Sequence, residues 1–388
     1  MKALCLNNIS KKVLSTLKGE DVVVNDEKDA NAILVRSFDM HEYSLKENIL
    51  AVARVGAGVN NIPIIDYARL GVVVFNTPGA NANAVKELVL CSLFLASRGI
   101  IAGSNWVNEN KEEEEIGKLA ESAKAKFAGN EIYGKTIGVL GLGKIGILVA
   151  NSCASLGMKV IGYDPYLTVT NAMKIEKDLK YVEKIEDAIS NVDYITIHIP
   201  ANAETKNLIS TKEFKKMKKG TVLLNFSRDV LVDDVALKEA IRSGIIKKYV
   251  TDFANPNVVK LDNTICLPHL GASTEEAEDN CAVMAIDEVK DYLENGNITR
   301  SVNYPDVSAG VKGKETRICI NHYNTPGMIA KFSSVLSADL INIENLVNKS
   351  KGEFAYTIID IENKEIDKEV VYKTLEAIDG VLRVRILW

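Results

Sequence analysis

The feature that most constrains the fold is the run Thr136-Ile-Gly-Val-Leu-Gly-Leu-Gly-Lys-Ile-Gly146, followed downstream by Asp164. Ile137 to Leu140 is an apolar run of strand length, and Ile147 to Leu156 continues with apolar residues at helical spacing. Between them Gly141, Gly143 and Gly146 fall in the G-x-G-x-x-G spacing. The first glycine permits a tight turn, the second lets a diphosphate approach the backbone, and the third lets helix pack close on strand. Free N–H groups at the start of that helix suit an anion. A second strand, Lys159 to Tyr163, runs into Asp164, whose carboxylate can accept from both ribose hydroxyls. An ordinary βαβ turn is the plainer alternative, but strand, helix and acid together favour a dinucleotide site.

At 388 residues the chain has room for two or three domains with sizeable cores. A net charge of -5 argues against a general nucleic-acid binder, so an anionic ligand must be met by locally placed arginines. The six cysteines (Cys5, Cys91, Cys153, Cys266, Cys281, Cys319) include no CxxC pair and read as reduced thiols, with no metal site expected. No signal-peptide pattern opens the chain, and the longest apolar run, Leu88 to Ala96, is too short for a membrane span. The expectation is a cytoplasmic protein with no membrane partner.

Short apolar runs alternate with helical segments from the start. Lys2 to Leu6, Val22 to Val24, Ala32 to Val35, Ala51 to Arg54 and Val72 to Phe75 read as parallel strands, and Asn83 to Ser97 as an apolar helix. The charged run Asn108 to Lys126 reads as a solvated helix or loop with no chemical role. Strands are expected again at Tyr194 to His198, Thr221 to Asn225, Lys248 to Thr251 and Thr264 to Leu267, then one long helix over Thr274 to Leu293. Asn297 to Lys314 reads as a linker, and the remainder as a β-α-β-β-α-β module of ferredoxin-like order.

Candidate chemistry falls at strand ends. Arg228, just past the strand ending at Asn225, can clamp a carboxylate with two parallel hydrogen bonds, or make a surface salt bridge. His269 can give and take a proton near neutrality, or serve a structural role. His198, followed closely by Pro200, reads as a strand-end backbone brace. Gly56-Ala57-Gly58 follows a strand where α/β sheets place ligand loops, with a plain glycine turn as the alternative.

Taken in order, the glycine motif with Asp164, Asn225-x-Ser227-Arg228 and Pro268-His269-x-Gly271-x-Ser273-Thr274 resemble the D-isomer-specific 2-hydroxyacid dehydrogenases. The similarity extends through Asn76-Thr-Pro-Gly-Ala-Asn81 and Glu87. It implies two Rossmann-like, doubly wound parallel-sheet domains: a discontinuous substrate domain over 1–98 and 274–303, and an NAD domain over 99–273. The resemblance makes Arg228 the carboxylate-orienting group and His269 the acid/base. It places Gly141, Gly143, Lys144, Ile145, Gly146, Asp164, Ser227 and Asp252 against the cofactor. Arg36, Arg54, Gly56, Ala57 and Gly58 are placed on the substrate, the two arginines at a phosphate end. Asp164 without a nearby arginine favours NAD over NADP.

After a linker at 304–314, residues 315–388 resemble an ACT regulatory domain, through Ile320-Asn-His-Tyr-Asn-Thr-Pro-Gly-Met328 and Ile341-Asn-Ile343. A dehydrogenase of this family ending in such a module implies NAD-dependent oxidation of 3-phospho-D-glycerate to 3-phosphohydroxypyruvate, the first step of L-serine biosynthesis, in a homodimer or homotetramer. His322, Asn324 and Asn342 then occupy serine-effector positions; edge-strand and turn polarity is their plain alternative. Two residues depart from the family pattern. Asn255 stands where a glutamate partner of the histidine belongs, and Asp229 replaces a glycine. Asp252, Glu275 or Glu276 is a candidate to take that glutamate's part. The alternatives are a reductase of another 2-oxo acid (hydroxypyruvate or glyoxylate) and a non-catalytic NAD-sensing binding protein.

Overall fold

Runs of β-branched and apolar residues, each closed by glycine or a polar cap, fold into two parallel sheets and one antiparallel sheet. The computed structural model describes residues 1–176, 178–362 and 367–388. It separates into two compact units, Met1–Asn81 with Glu275–Trp388, and Ala82–Thr274. Among the described residues no helix is long and apolar enough to cross a membrane.

In the Ala82–Thr274 unit seven parallel strands run in the order Thr264–Cys266, Ile246–Thr251, Thr221–Asn225, Tyr194–Ile197, Thr136–Leu140, Lys159–Tyr163, Lys180–Val182. The chain starts in the middle and winds outward both ways, so the order reverses beside Thr136–Leu140. Ligands of doubly wound sheets collect at that switch point. The strand at Lys180–Val182 was not expected, since three residues with one buried side chain leave little periodicity to read. One sheet face packs on Val85, Val89 and Leu93 of the helix Ala82–Ser97. The other packs on Phe214, Leu231 and Leu237. The charged stretch 108–126, expected as a solvated helix or loop, holds the end of helix Ile100–Glu109, then helix Ile116–Ala123 and most of the short turn Lys124–Phe127; no residue of the first helix is buried.

The other unit holds five parallel strands in the order Val22–Val24, Lys2–Cys5, Ala32–Val35, Ala51–Arg54, Val73–Asn76. Its helix Glu275–Asn295 lays Cys281, Ala285, Val289 and Tyr292 on the sheet. The C-terminal residues form the β-α-β-β-α-β order as read, with antiparallel strands Ile343–Lys351, Phe354–Ile361, Thr316–Tyr323, Val381–Leu387 side by side. Strand residues alternate faces. Ile318 and Ile320 meet Phe332 and Leu375 of the module's helices. Cys319, Phe354, Tyr356 and Ile358 instead join the core beneath the five-stranded sheet.

The stretch expected as a linker is built into that junction. Tyr304 is fully buried and donates its hydroxyl to Ala68 O at 2.6 Å, and Val307 pairs with Ile298. Arg317, 1% exposed, donates Nε to Asp360 at 2.6 Å and Nη1 to the carbonyls of Asn295 and Gly310. Arg385 donates to the carbonyls of Tyr292 and Leu293 and lies 4.3 Å from the Tyr292 ring. At Asn295 O and Leu293 O the two guanidiniums thereby bond carbonyls of the last helical turn.

Replacing Arg317 by Met removes one partner of a buried ion pair and strands the other, a loss of roughly 3–5 kcal/mol. The expected outcome is a matching fall in urea stability, read from Trp388 emission in a Trp106→Phe background.

Candidate active site

The glycine turn is shaped by what surrounds it. Gly141 adopts φ 93°, and a Cβ there would sit 2.5 Å from His198 O. A Cβ on Gly146 would sit 1.9 Å from Gly141 O, so helix Lys144–Ser155 can approach the turn only with glycine there. Gly143 is different: no protein atom lies within 4 Å of its would-be Cβ. Its lack of a side chain answers no packing need and leaves the backbone open to a ligand, in front of helical N–H groups at Lys144 and Ile145. Asp164 accepts from Leu142 N and Tyr166 N, each at 2.8 Å, one on each carboxylate oxygen. Each oxygen keeps acceptor capacity for a hydroxyl. His198 bonds Thr196 through Nε2 at 3.0 Å, and burial drops its pKa to about 3, so it is a neutral brace under the turn.

Two adjacent strand ends carry the reactive candidates. Asn225, wholly buried, donates Nδ2 to Arg228 O at 2.8 Å and accepts from Ser227 N at 3.2 Å. Ser227 Oγ is spent on Ile197 O at 2.8 Å. Arg228 Nη1 donates to Ser227 O at 2.6 Å, and no carboxylate among the described residues forms an ion pair with it. From the neighbouring strand, Thr251 Oγ1 donates to Asn225 O and accepts from Phe253 N. The Phe253 ring lies 4.8 Å from the His269 ring, tilted by 52°, and 5.9 Å from the Arg228 guanidinium carbon, so one aromatic ring neighbours both. Phe253 is the residue that sequence reasoning missed; its place after Asp252 gave no chemical signal.

His269 stands at φ 52°, a left-handed conformation that is uncommon outside glycine. Its N–H donates to Asp252 O at 2.8 Å, which fixes the turn. Asp252 is buried; Oδ2 accepts from Gly271 N at 2.8 Å while Oδ1 has no partner among the described residues. Burial pushes its pKa up, opposed by the Gly271 N–H and by the charges of His269 and Arg228. An orphaned, buried acceptor beside the imidazole suits an amide donor such as a nicotinamide carboxamide. Asn255 is not brought to the imidazole. Its Oδ1 accepts from Asn257 N and Val258 N, both at 2.9 Å, capping the short helical turn Val258–Lys260.

In the other unit the parallel strands also end on polar groups. Asn7 Oδ1 accepts from the N–H groups of Arg36, Ser37 and Phe38 at 3.2, 3.1 and 2.8 Å, pinning the segment that carries Arg36. Arg36 Nη1 lies 2.5 Å from Glu278. Gly56, at φ 145°, has its Cβ position filled by the Arg54 guanidinium, 1.4 Å from Nη1. That glycine is what lets the arginine fold across its own loop. Asn76 Nδ2 donates to Ala57 O at 2.6 Å and holds the Gly56–Gly58 loop.

The expected effector residues do not meet in one chain. His322 is buried, with one ring nitrogen on Tyr323 O and the other on Thr357 Oγ1, both at 2.8 Å. Burial lowers its pKa. Asn324 donates to Gly352 O at the same sheet end, whereas Asn342 is at the far end, beside Glu362. The register pairs His322 with Ala355 but Thr316 and Ile343 with Ile361.

Residues 90–271 match the family described as D-isomer specific 2-hydroxyacid dehydrogenase, NAD binding domain. The chain is 30% identical over 354 residues to a D-3-phosphoglycerate dehydrogenase of Escherichia coli (strain K12), covering 88% of this chain and 82% of that one. It belongs to the D-isomer-specific 2-hydroxyacid dehydrogenases and is an NAD-dependent enzyme of that class. Among solved structures, an NAD+-bound 3-phosphoglycerate dehydrogenase of Entamoeba histolytica aligns with TM-score 0.61 and 26% identity, over 78% of this chain and 98% of that one. A glyoxylate reductase from Paecilomyes thermophila shares the fold, with TM-score 0.64 and 23% identity over 78% of this chain and 98% of its own.

Gly143→Ala is expected to weaken NADH binding, seen by fluorescence titration, and to shift stability by no more than about 0.5 kcal/mol. Gly146→Ala is expected to lower the melting temperature as well. A raised folded-state carboxyl pKa favours folding below the unfolded value and opposes it as pH rises through the folded one. Asp252→Asn should therefore raise the melting temperature at pH 7, with the gain shrinking as pH falls into the carboxylate range.

Proposed function

We propose that the chain oxidises 3-phospho-D-glycerate to 3-phosphohydroxypyruvate, as the first step of L-serine biosynthesis. The observation that carries this reading is the grouping of Arg228, Phe253 and His269 on adjacent strand ends of the NAD-binding unit, over the buried Asp252. Arg228 holds the substrate carboxylate and aligns the C–H bond that breaks. An imidazole nitrogen of His269 takes the hydroxyl proton as the carbonyl forms. Asp252 stabilises the resulting imidazolium through charge. NAD, when bound, supplies the hydride acceptor; Gly141, Gly143, Lys144, Ile145, Gly146, Asp164 and Ser227 line its dinucleotide, and Asp252 Oδ1 its carboxamide. Arg36 and Arg54, with the loop Gly56–Gly58, hold the phosphate, which answers the net negative charge of the chain. The name carried by the Escherichia coli relative supports the substrate.

The C-terminal module is an ACT-type regulatory domain in this reading. With Asn342 at the sheet end opposite His322 and Asn324, a serine site using all three is composed from two copies of the chain. Self-association has further support in the helix Ile100–Glu109, which exposes Ile100, Ile101 and Val107 beside an open depression of about 830 Å³ lined by Trp106 and Phe127. A second reading, a reductase of glyoxylate or hydroxypyruvate, draws on the engagement of Arg36 by Glu278, which leaves that arginine less available to a phosphate.

An assay of NADH oxidation with 3-phosphohydroxypyruvate and glyoxylate in parallel separates the two. The expected result is a kcat/KM at least tenfold higher for the phosphorylated acid, an advantage of about 1.4 kcal/mol. Arg54→Gln is expected to erase most of that advantage while leaving glyoxylate turnover in place. Equal use of both acids by the wild-type enzyme would sink the phosphate assignment.

A further inference from the structure

Near the start of helix Glu275–Asn295, Glu278 in its first turn and Asp279 just after it each hold a residue from the first part of the chain. Asp279 is taken by Ser10 Oγ and Lys12 Nζ, both at 2.5 Å. Glu278 is taken by Arg36, Oε1 to Nη1 at 2.5 Å, with side chains 40% and 32% exposed. The fold does not depend on that second contact. The backbone at 36–38 is already fixed by Asn7, and the helix by Cys281, Ala285 and Val289 in the core. A half-exposed pair of this kind adds little to stability. The start of a helix nevertheless suits negative charge, and Glu278 sets its carboxylate there on an arginine read as a phosphate anchor.

We propose that Glu278 is an internal stand-in for the substrate's phosphate, neutralising Arg36 when no substrate is present and releasing it when the phosphate arrives. This rests on the phosphate reading of Arg36. A phosphate dianion brings more charge and more acceptor oxygens to Arg36 than one tethered carboxylate does, so the exchange runs toward substrate. It runs at a cost in affinity, since each binding event must first separate an existing pair. On release the carboxylate returns and restores neutrality at Arg36. The exchange is settled on binding, so its signature falls on KM and not on kcat.

The test uses the full chain as wild type, Glu278→Gln, Arg36→Gln and the double variant, each checked for an unchanged melting transition. Calorimetric titration with inorganic phosphate is expected to show about two- to fivefold tighter binding for Glu278→Gln, the size of a broken surface pair. Arg36→Gln is expected to weaken binding, and adding Glu278→Gln to it should change nothing further. The KM for 3-phosphohydroxypyruvate should fall by the same factor in Glu278→Gln, while that for glyoxylate moves less than about twofold. Equal or weaker phosphate binding by Glu278→Gln, or a gain that persists without Arg36, overturns the proposal. Failure of the underlying reading looks different: Arg36→Gln then binds phosphate as wild type does, and the role of Arg36 falls with that of Glu278.

Discussion

The reactive face of the NAD-binding unit depends on one buried amide. Asn225 ends a central strand with no exposed surface, and its two polar atoms bind the loop that follows, at Ser227 N and Arg228 O. Its own carbonyl accepts from Thr251, the residue it faces in the neighbouring strand. Thr251 in turn fixes Phe253 N. The loops bearing Arg228 and Asp252-Phe253 are thereby tied to one another through a single register. An arginine side chain has many rotamers, so a guanidinium is a good clamp only when its backbone and one face of its plane are settled beforehand. Asn225 settles the first and Phe253 the second.

Much of this was legible before the structure. The glycine spacing, the acid after the second strand and the short apolar runs gave the doubly wound sheet, because buried parallel strands have no alternative to continuous hydrophobicity. What could not be read were contacts between residues distant in sequence. Nothing local marks Asn7 as the acceptor for three N–H groups at 36–38, or Glu278 as the partner of Arg36. Helix Ile100–Glu109 was passed over because its apolar residues enter no core, so the period that marks a buried face was absent. Asn255 was weighed against a catalytic pattern when its spacing to Asn257 and Val258 already described a cap.

An acidic chain that handles an anion must concentrate positive charge without letting it wander. Here each cation at a strand end has a tether of its own kind. Arg54 lies over the space a Gly56 side chain would need, Arg36 is drawn to Glu278, and Arg228 bonds the carbonyl next to it. These restraints differ in how firmly they hold. A backbone carbonyl or a missing Cβ cannot leave, whereas a carboxylate on a half-exposed helix turn can be displaced.

The shared core beneath the five-stranded sheet also bears on how the polypeptide is made. Val74 N donates to Asn303 Oδ1, 229 residues later, and Ile49 O accepts from Arg383 across 334 residues. At about 5–20 residues per second, the ribosome needs roughly 15 to 70 seconds to deliver that last partner. The intervening Ala82–Thr274 unit contains its own cores and emerges complete in the meantime. The segment made before that unit is thus finished only after it, and its apolar sheet face waits on the nascent chain for a covering synthesised later.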